Sequence, residues 1–165
     1  MEASSTDRKI FTITQENNSI GQIRYENYLY IRAEIIINEL QKYEIKPKGA
    51  FGTSLSVIDT VNNNEVAQLA MTWNGEIHIS FRNLQEYIIK LNNFFSNQYF
   101  LENSQGEKLI LLKSKFNWVQ FQYHYDIEYN VDRFDTSENK LLLLLGIYAV
   151  NYYIITLSGS NAGLT

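Results

Sequence analysis

Cysteine is absent from this 165-residue sequence, proline occurs once and histidine occurs twice. Without cysteine the chain has no disulfide scaffold, no thiol nucleophile and no all-cysteine zinc or iron–sulfur site. Two histidines are too few for a histidine-rich metal site. A chain of this length buries enough surface to fold without a covalent or metal cross-link.

Basic residues are also too few for a typical nucleic-acid-binding protein. Fourteen lysines and arginines stand against eighteen aspartates and glutamates, a formal net charge of −4, whereas nucleic-acid binders show a basic excess. The sequence contains no Walker motif, no Gly-x-Gly-x-x-Gly loop, no His-Glu-x-x-His motif and no Gly-x-Ser-x-Gly elbow. We therefore predict a protein that is not an enzyme, with no cofactor and no nucleic-acid partner.

The amino-terminal residues 1–8 are polar and lack the apolar run of a signal peptide. The expected location is therefore the cytoplasm. The length favours one domain, which we place at about residues 8–160. We expect residues 1–7 and 161–165 to be flexible termini.

Alternating polar and apolar residues, typical of half-buried strands, dominate about residues 9–131. The clearest example is 118–129, with one face formed by Val119, Phe121, Tyr123, Tyr125, Ile127 and Tyr129. Asparagine-rich and glycine-rich turns recur at short intervals, as in an antiparallel meander. The pattern predicts about ten or eleven strands, and residues 83–95 fit either a helix or a strand.

The turn at Asn74-Gly75 poses a register problem. A two-residue turn would place the apolar face of one strand beside the polar face of the next, whereas a three-residue loop pairs Trp73 with Ile77. Because the buried face decides the register, we predict the longer loop or a bulge. We expect Trp73, like Trp118, in the core or at the rim of the fold.

The alternation ends before a long apolar run, Leu141–Leu157, which contains no charged residue. Asp135 and Glu138 resemble a capping box, and Gly159 fits the position just after a helix. The run predicts a helix over about 136–157, roughly 33 Å long at about 1.5 Å per residue. A helix that is apolar on every face needs apolar surroundings on every side.

Two surroundings satisfy such a helix. One is a bilayer, which about 17–25 apolar residues span, and the chain would then be a tail-anchored membrane protein through residues 141–157. The other is the lumen of a barrel closed by the amphipathic strands. Gly146, Asn151 and Thr156 fit a packed interior better than lipid. We favour a mainly β fold, a closed antiparallel barrel of about 10–12 strands that encloses a hydrophobic C-terminal helix, without a transmembrane span.

This order of elements resembles the tubby-like superfamily, which includes the LURP-one-related proteins and the phospholipid scramblase homologues. The resemblance is carried by Asp126-Ile127-Glu128-Tyr129, Asp135 and the run Leu141–Leu157. It covers nearly the whole chain and lies in pattern and order, without a specific residue motif. It implies a twelve-stranded barrel around a central helix. The tubby domains imply phosphoinositide binding, although their basic ligands have no matching positions here.

Two lysine pairs are candidates for binding an anion. Lys46 and Lys48 flank Pro47, and Lys113 and Lys115 lie on one face of their segment. Lysines at strand ends hold a phosphate head group by charge and hydrogen bonding, and they also keep strand ends soluble. We predict a lipid- or protein-binding domain, peripheral to the membrane, whose partner is an anionic phospholipid head group or a protein.

The alternative function is a metal-dependent enzyme. His124, Asp126 and Glu128 share the polar face of one strand, and a neighbouring strand would add Glu76 or His78. Histidine and carboxylates are common metal ligands. An ordinary solvated outer face is the simpler interpretation of these residues.

Overall fold

The structure is a computed structural model that describes residues 1–5, 9–48, 54–93, 97–117, 122–130, 132, 134–136 and 139–161. These residues form a closed antiparallel barrel of twelve strands and one helix. The elements are β1 Glu2–Ser5, β2 Ile10–Gln15, β3 Asn18–Tyr25, β4 Ala33–Ile36, β5 Lys42–Lys48, β6 Ser54–Asp59, β7 Asn64–Met71, β8 Ile77–Phe81, β9 Glu86–Asn93, β10 Gln98–Asn103, β11 Lys108–Asn117, β12 Gln122–Tyr129 and α1 Lys140–Asn161. Each strand pairs with its neighbours in sequence, and β1 closes the barrel by pairing with β12.

The inner face of the barrel wall is apolar because alternate residues of each strand point inward. Paired strands bring their apolar residues to the same face, as where Ile23 of β3 lies opposite Ile35 of β4. The fully buried wall residues include Phe11, Ile13, Ile23, Ile35, Ile45, Val57, Ile79, Leu101 and Leu112. The hydrophobic core therefore lies on the inner side of the wall, together with the buried residues of α1.

Helix α1 is buried on all its faces over the ten residues Leu142–Asn151, since this stretch covers more than two helical turns. Gly21 of β3 lies so near the helix that an added Cβ would be 2.9 Å from Cδ1 of Leu144. A Cβ on Gly146 would be 3.4 Å from Leu101. Among the described residues, no helix is both long enough and apolar enough to span a bilayer.

Polar groups fix α1 against the wall at two points. The Asn151 amide donates to the Tyr25 hydroxyl (2.9 Å) and accepts from the Tyr125 hydroxyl (2.5 Å). The Tyr148 hydroxyl donates to the carbonyl of Ile31 (2.7 Å). Burial raises the pKa of both Tyr25 and Tyr125 well above the usual value, so both phenols stay neutral and donate or accept hydrogen bonds as polar anchors.

The helix begins and ends later than predicted. It begins at Lys140 instead of about residue 136, because Asn139 is the residue whose carbonyl accepts the first helical bond, from Leu143 (3.0 Å). It continues through Gly159 to Asn161, so Gly159 does not follow the helix as predicted. Glu138 of the predicted capping box and residues 162–165 lie outside the described residues.

The amino-terminal strand β1 was not predicted. Glu2–Ser5 pairs with both β2 and β12, so the prediction of a flexible terminus is wrong for these four residues. A four-residue strand with two inward side chains, Ala3 and Ser5, is too short for its alternation to stand out. Its presence makes the count twelve strands, where the pattern predicted about ten or eleven.

Two ambiguous segments are settled by the structure. Residues 86–93 form β9, so the strand alternative is confirmed there, while 94–95 lie outside the described residues. The β7–β8 turn comprises five residues, 72–76, and pairs Met71 with Ile77. The predicted pairing of Trp73 with Ile77 is therefore wrong, although a shift of two residues keeps the apolar faces together.

Candidate functional site

The four predicted lysines do not form one site. Lys46 and Lys48 lie on β5, whereas Lys113 and Lys115 lie on β11. In the closed order of twelve strands, β5 and β11 are six places apart in either direction. The two pairs are therefore on opposite sides of the barrel, and no single head group reaches both.

Each of these lysines also has a carboxylate partner. The pairs are Lys46 with Glu44 (3.1 Å), Lys48 with Glu65 (3.0 Å), Lys113 with Glu128 and Lys115 with Asp126. Exposed ion pairs of this kind contribute about 0–1 kcal/mol to stability. Their main consequence here is that each positive charge already has a counter-charge, which weakens its attraction for a phosphate.

The carboxylate of Glu65, the partner of Lys48, is held by several hydrogen bonds. It accepts hydrogen bonds from Ser56 Oγ (2.5 Å), Lys48 Nζ (3.0 Å) and Gln68 Nε2 (2.5 Å). These bonds, the one from Ser56 above all, hold the pKa of Glu65 below its usual value. The carboxylate therefore stays ionised at neutral pH and keeps Lys48 engaged.

The predicted metal ligands are not arranged as a metal site. Asp126 and Glu128 bind lysines, and among the described residues no three histidine or carboxylate side chains are placed to hold an ion. Glu76 immediately precedes β8 and His78 is its second residue. Strand β8 is separated from β12 by three strands. The expectation that a strand next to His124 carries them is wrong, because the neighbours of β12 are β11 and β1.

The turns of the barrel form two ends with different chemistry. Because antiparallel strands alternate in direction, successive turns lie at alternate ends. We call one end the aromatic end, which contains the turns 26–32 and 72–76. We call the other the amide end, which contains the turns 37–41, 60–63 and 82–85. Helix α1 begins at the amide end.

The turn 26–32 presents two apolar side chains to solvent from a fixed backbone. Tyr28 and Leu29 are 59% and 58% exposed. The Leu29 amide donates to Asn27 Oδ1 (2.9 Å), and Tyr30 is buried in the core, where its ring lies 4.4 Å from that of Tyr25. The turn is thus anchored on one side and apolar on the other.

The turn 72–76 places a fully exposed tryptophan at the tip of a hairpin. Thr72 closes this turn: its amide donates to the Glu76 carbonyl (2.8 Å), and its Oγ1 accepts from the Glu76 amide (3.1 Å). Gly75 has a φ of 80° and lies against Tyr153 of α1. Trp73 therefore lies at the rim, outside the core. Trp118 is outside the described residues.

The amide end also has exposed apolar side chains, but its charge differs. Its exposed apolar residues are Leu40, Val61 and Leu84. Its described connections carry five acidic residues and one basic residue, namely Glu16, Glu39, Glu107, Asp132, Asp135 and Arg82. The described connections of the aromatic end carry two of each sign, namely Glu26, Glu76, Lys9 and Arg32. The described connections of the aromatic end are thus balanced in charge, and those of the amide end have an acidic excess.

Sequence reasoning missed Tyr28 and Leu29 as surface residues. The alternation predicts a strand over 28–38, but the strand in the structure is only Ala33–Ile36. The polar pair Glu26-Asn27 signals the turn without giving its length.

No protein-family model, no curated protein and no solved structure matches this chain. The function is therefore argued from geometry and chemistry.

Proposed function

We propose that this barrel is a non-enzymatic module of the cytoplasm that binds the surface of a lipid membrane peripherally, through its aromatic end. The observation that carries the proposal is Trp73, fully exposed at the tip of a hydrogen-bonded hairpin. Tyr28 and Leu29 are exposed at the same end. Tryptophan and tyrosine favour the head-group region of a bilayer, where the ring is half buried.

The positions of the three side chains suit a flat partner. They lie on two separate turns at the same end of the barrel, so a flat surface that approaches this end meets both turns. Both turns are already fixed by hydrogen bonds of Asn27 and Thr72, so little conformational entropy is lost on binding. Full burial of a large apolar side chain contributes about 1.5–3 kcal/mol. Three partly buried side chains are sufficient for reversible association.

The distribution of charged residues supports the aromatic end as the end that binds lipid. The cytoplasmic leaflet is negative, and the described connections of the amide end carry a clear acidic excess, whereas those of the aromatic end are balanced. The negatively charged leaflet therefore repels the amide end more than it repels the aromatic end. Lys46, Lys48, Lys113 and Lys115 add little attraction, because each is paired with a carboxylate.

We also infer that α1 runs through the lumen of the barrel, the arrangement that the resemblance to the tubby-like superfamily implies. Two observations support this. All faces of the helix are buried over Leu142–Asn151. Its neighbours extend from β8 through β9, β10, β11 and β12 to β3, which is about two thirds of the circumference. Such a helix makes the aromatic end rigid, because Tyr153 supports the turn at Gly75.

Vesicle co-sedimentation tests the lipid proposal. Phosphatidylcholine vesicles, with and without phosphatidylserine, are mixed with wild-type protein and with a triple variant, Tyr28→Ser, Leu29→Ser and Trp73→Ser. We expect the triple variant to lose at least tenfold in affinity, since about 1.4 kcal/mol corresponds to tenfold. The matched control is Leu40→Ser with Leu84→Ser at the amide end, which removes exposed apolar area without changing affinity.

A second arm tests the lysines. The variant with Lys46, Lys48, Lys113 and Lys115 all changed to glutamine is expected to bind both vesicle types as well as the wild type does. A loss confined to this variant would contradict the aromatic-end proposal and favour head-group binding by the lysines. Failure of the wild-type protein to bind either vesicle would contradict lipid binding altogether and favour a protein partner.

A further inference from the structure

A cavity of about 280 Å³ lies at the amide end of the barrel, beside the beginning of α1. Its walls come from the turns 37–41 and 82–85, from β5, β8 and β9, and from the beginning of the helix with the residue before it. Its volume is near the lower limit for small-molecule pockets, about 300 Å³. The cavity is separate from the proposed lipid-binding residues, which lie at the opposite end.

Several hydrogen-bond donors that line this cavity have no partner. Gln41 and Gln85 use their side-chain oxygens to accept from Asn38 (2.6 Å) and Asn83 (2.9 Å), which leaves both amide nitrogens without an acceptor among the described residues. The hydroxyls of Tyr43 and Tyr87, which also line the cavity, donate to no described residue. Gln41 and Gln85 are exposed, so water satisfies their amide nitrogens when no ligand is bound. The half-buried hydroxyls of Tyr43 and Tyr87 favour a ligand that supplies acceptors.

Lys140 supplies a positive charge to the same cavity. Lys46, Lys48, Lys113 and Lys115 form ion pairs, whereas Lys140, like Lys42 and Lys108, forms none with any described residue. No described aspartate or glutamate belongs to the lining. Among the described residues, the cavity therefore combines one cation that has no ion pair with neutral donors and no negative side chain.

The remaining lining is partly apolar. Asn83 and Asn139 also line the cavity, and Ile37, Phe81, Leu141 and Leu142 form its apolar part. The ring of Phe81 meets that of Tyr87 edge to face at 5.9 Å. Small-molecule sites combine apolar surface with placed polar groups. The apolar part of this lining gives an organic body a surface to pack on, which a bare inorganic anion does not use.

We propose that this cavity binds a small organic monocarboxylate with an aromatic or aliphatic body. The carboxylate accepts from Lys140 and from the free donors of Gln41, Gln85, Tyr43 and Tyr87, and the apolar body packs on Ile37, Phe81 and Leu141. Charge-assisted hydrogen bonds are about twice as strong as neutral ones. The lysine therefore provides most of the discrimination between an acid and its neutral analogue.

Benzoate is a suitable probe, with benzamide as its neutral analogue of the same shape. Titration of isotope-labelled protein, followed by the backbone amide signals of Leu141 and Leu142, reports both the affinity and the location. We expect benzoate to shift these signals with a dissociation constant at least tenfold lower than that of benzamide. Lys140→Gln should raise the benzoate constant about tenfold, and Lys140→Arg should keep it near the wild-type value.

The matched control is Lys46→Gln, which removes a lysine from the outer wall and should leave benzoate binding unchanged. Equal benzoate affinity in the wild type and in Lys140→Gln would overturn the proposal, as would the absence of any shift at Leu141 with the wild type. Inorganic phosphate is the final arm. If phosphate shifts the same signals at lower concentration than benzoate, the cavity is a site for a bare anion and the proposed ligand class is wrong.

Discussion

The polar side chains on the inner side of the barrel are neutral, whereas several of those on the outer face form ion pairs. Inside, the polar side chains that hold α1 are neutral: the Asn151 amide and the hydroxyls of Tyr25, Tyr125 and Tyr148. Outside, five lysines of the wall form ion pairs with carboxylates across or along strands, namely Lys46, Lys48, Lys90, Lys113 and Lys115. An isolated charge inside would have no solvent to stabilise it, whereas outside each charge is solvated with or without its partner.

The groups that remain available for binding lie mainly at the two ends of the barrel. The buried residues of the wall and of α1 form one core, and five described lysines of the outer wall, Lys46, Lys48, Lys90, Lys113 and Lys115, are paired with carboxylates. The unsatisfied chemistry lies at the two ends, as exposed apolar tips such as Trp73 and as free donors such as Lys140. The wall is therefore a scaffold, and both proposals concern its ends.

Alkaline pH should reduce the stability of the barrel more than any other change, because ionisation of the buried tyrosines favours the unfolded state. Burial raises the pKa of Tyr99 to about 12 and raises those of Tyr25 and Tyr125 well above the usual value. Unfolded tyrosines ionise near pH 10, so the folded state holds its protons more tightly. This contribution is fully present below about pH 10 and is lost as the pH rises through about 12.

Tyrosinate absorbance and circular dichroism, recorded on the same samples over this pH range, check the alkaline prediction. We expect the buried tyrosines to ionise together with the loss of β structure. Complete ionisation of all twelve tyrosines while the barrel signal persists would show that the interior phenols are accessible to hydroxide, contrary to their burial.

The apolar packing around α1 is tested by Leu143→Ala. Leu143 is completely buried, and removing a large side chain from a packed core costs about 2–5 kcal/mol. Urea denaturation measures the free energy of unfolding. Leu40→Ala is the matched control, since Leu40 is 79% exposed at a turn and should change stability by at most about 0.5 kcal/mol. Similar values for both variants would contradict the comparison of inside and outside.

The polar contacts inside are tested by Asn151→Leu. This change keeps the size of the side chain but leaves the hydroxyls of Tyr25 and Tyr125 without their shared partner. An unsatisfied buried polar group costs about 1–3 kcal/mol. Adding Tyr25→Phe and Tyr125→Phe to this variant should recover part of the loss, because no polar group is then left unpaired. Loss of further stability in the combined variant would rule out this explanation.

The smallest change in stability is expected when an ion pair of the outer wall is removed. Lys113→Gln removes the partner of Glu128, and exposed pairs contribute about 0–1 kcal/mol. A double-mutant cycle with Glu128→Gln isolates the pair itself. A coupling energy above about 2 kcal/mol would mean that the outer wall, like the interior, depends on specific polar contacts, and the distinction drawn above would fail.

Much of the fold was predictable from the sequence, because a closed barrel with one buried face imposes a period of two. The alternation of Tyr123, Tyr125 and Ile127 identifies their strand directly, and the uncharged run after Lys140 identifies the helix. The lengths of the turns were harder to predict from the sequence. At Asn74-Gly75 a three-residue and a five-residue turn both keep apolar faces together, and only the hydrogen bonds of Thr72 select the longer one.

The candidate sites were much less predictable. Alternation places Lys113 and Lys115 outside, but whether they are free depends on the strand beside them, where Glu128 and Asp126 happen to lie. The same limit applies to the cavity at the amide end. Tyr43, Gln85 and Lys140 are far apart in sequence, and only closure of the barrel brings them together.

The central claim, that α1 fills the lumen, is tested most directly by deleting it. A chain that ends at Lys140 retains all twelve strands and would expose an apolar lumen to water. The control is a chain ending at Asn161, which retains the whole helix. Expression followed by centrifugation and thermal melting should give an aggregated truncated protein and a soluble, cooperatively melting control. A truncated barrel that stays soluble and melts cooperatively would contradict the account.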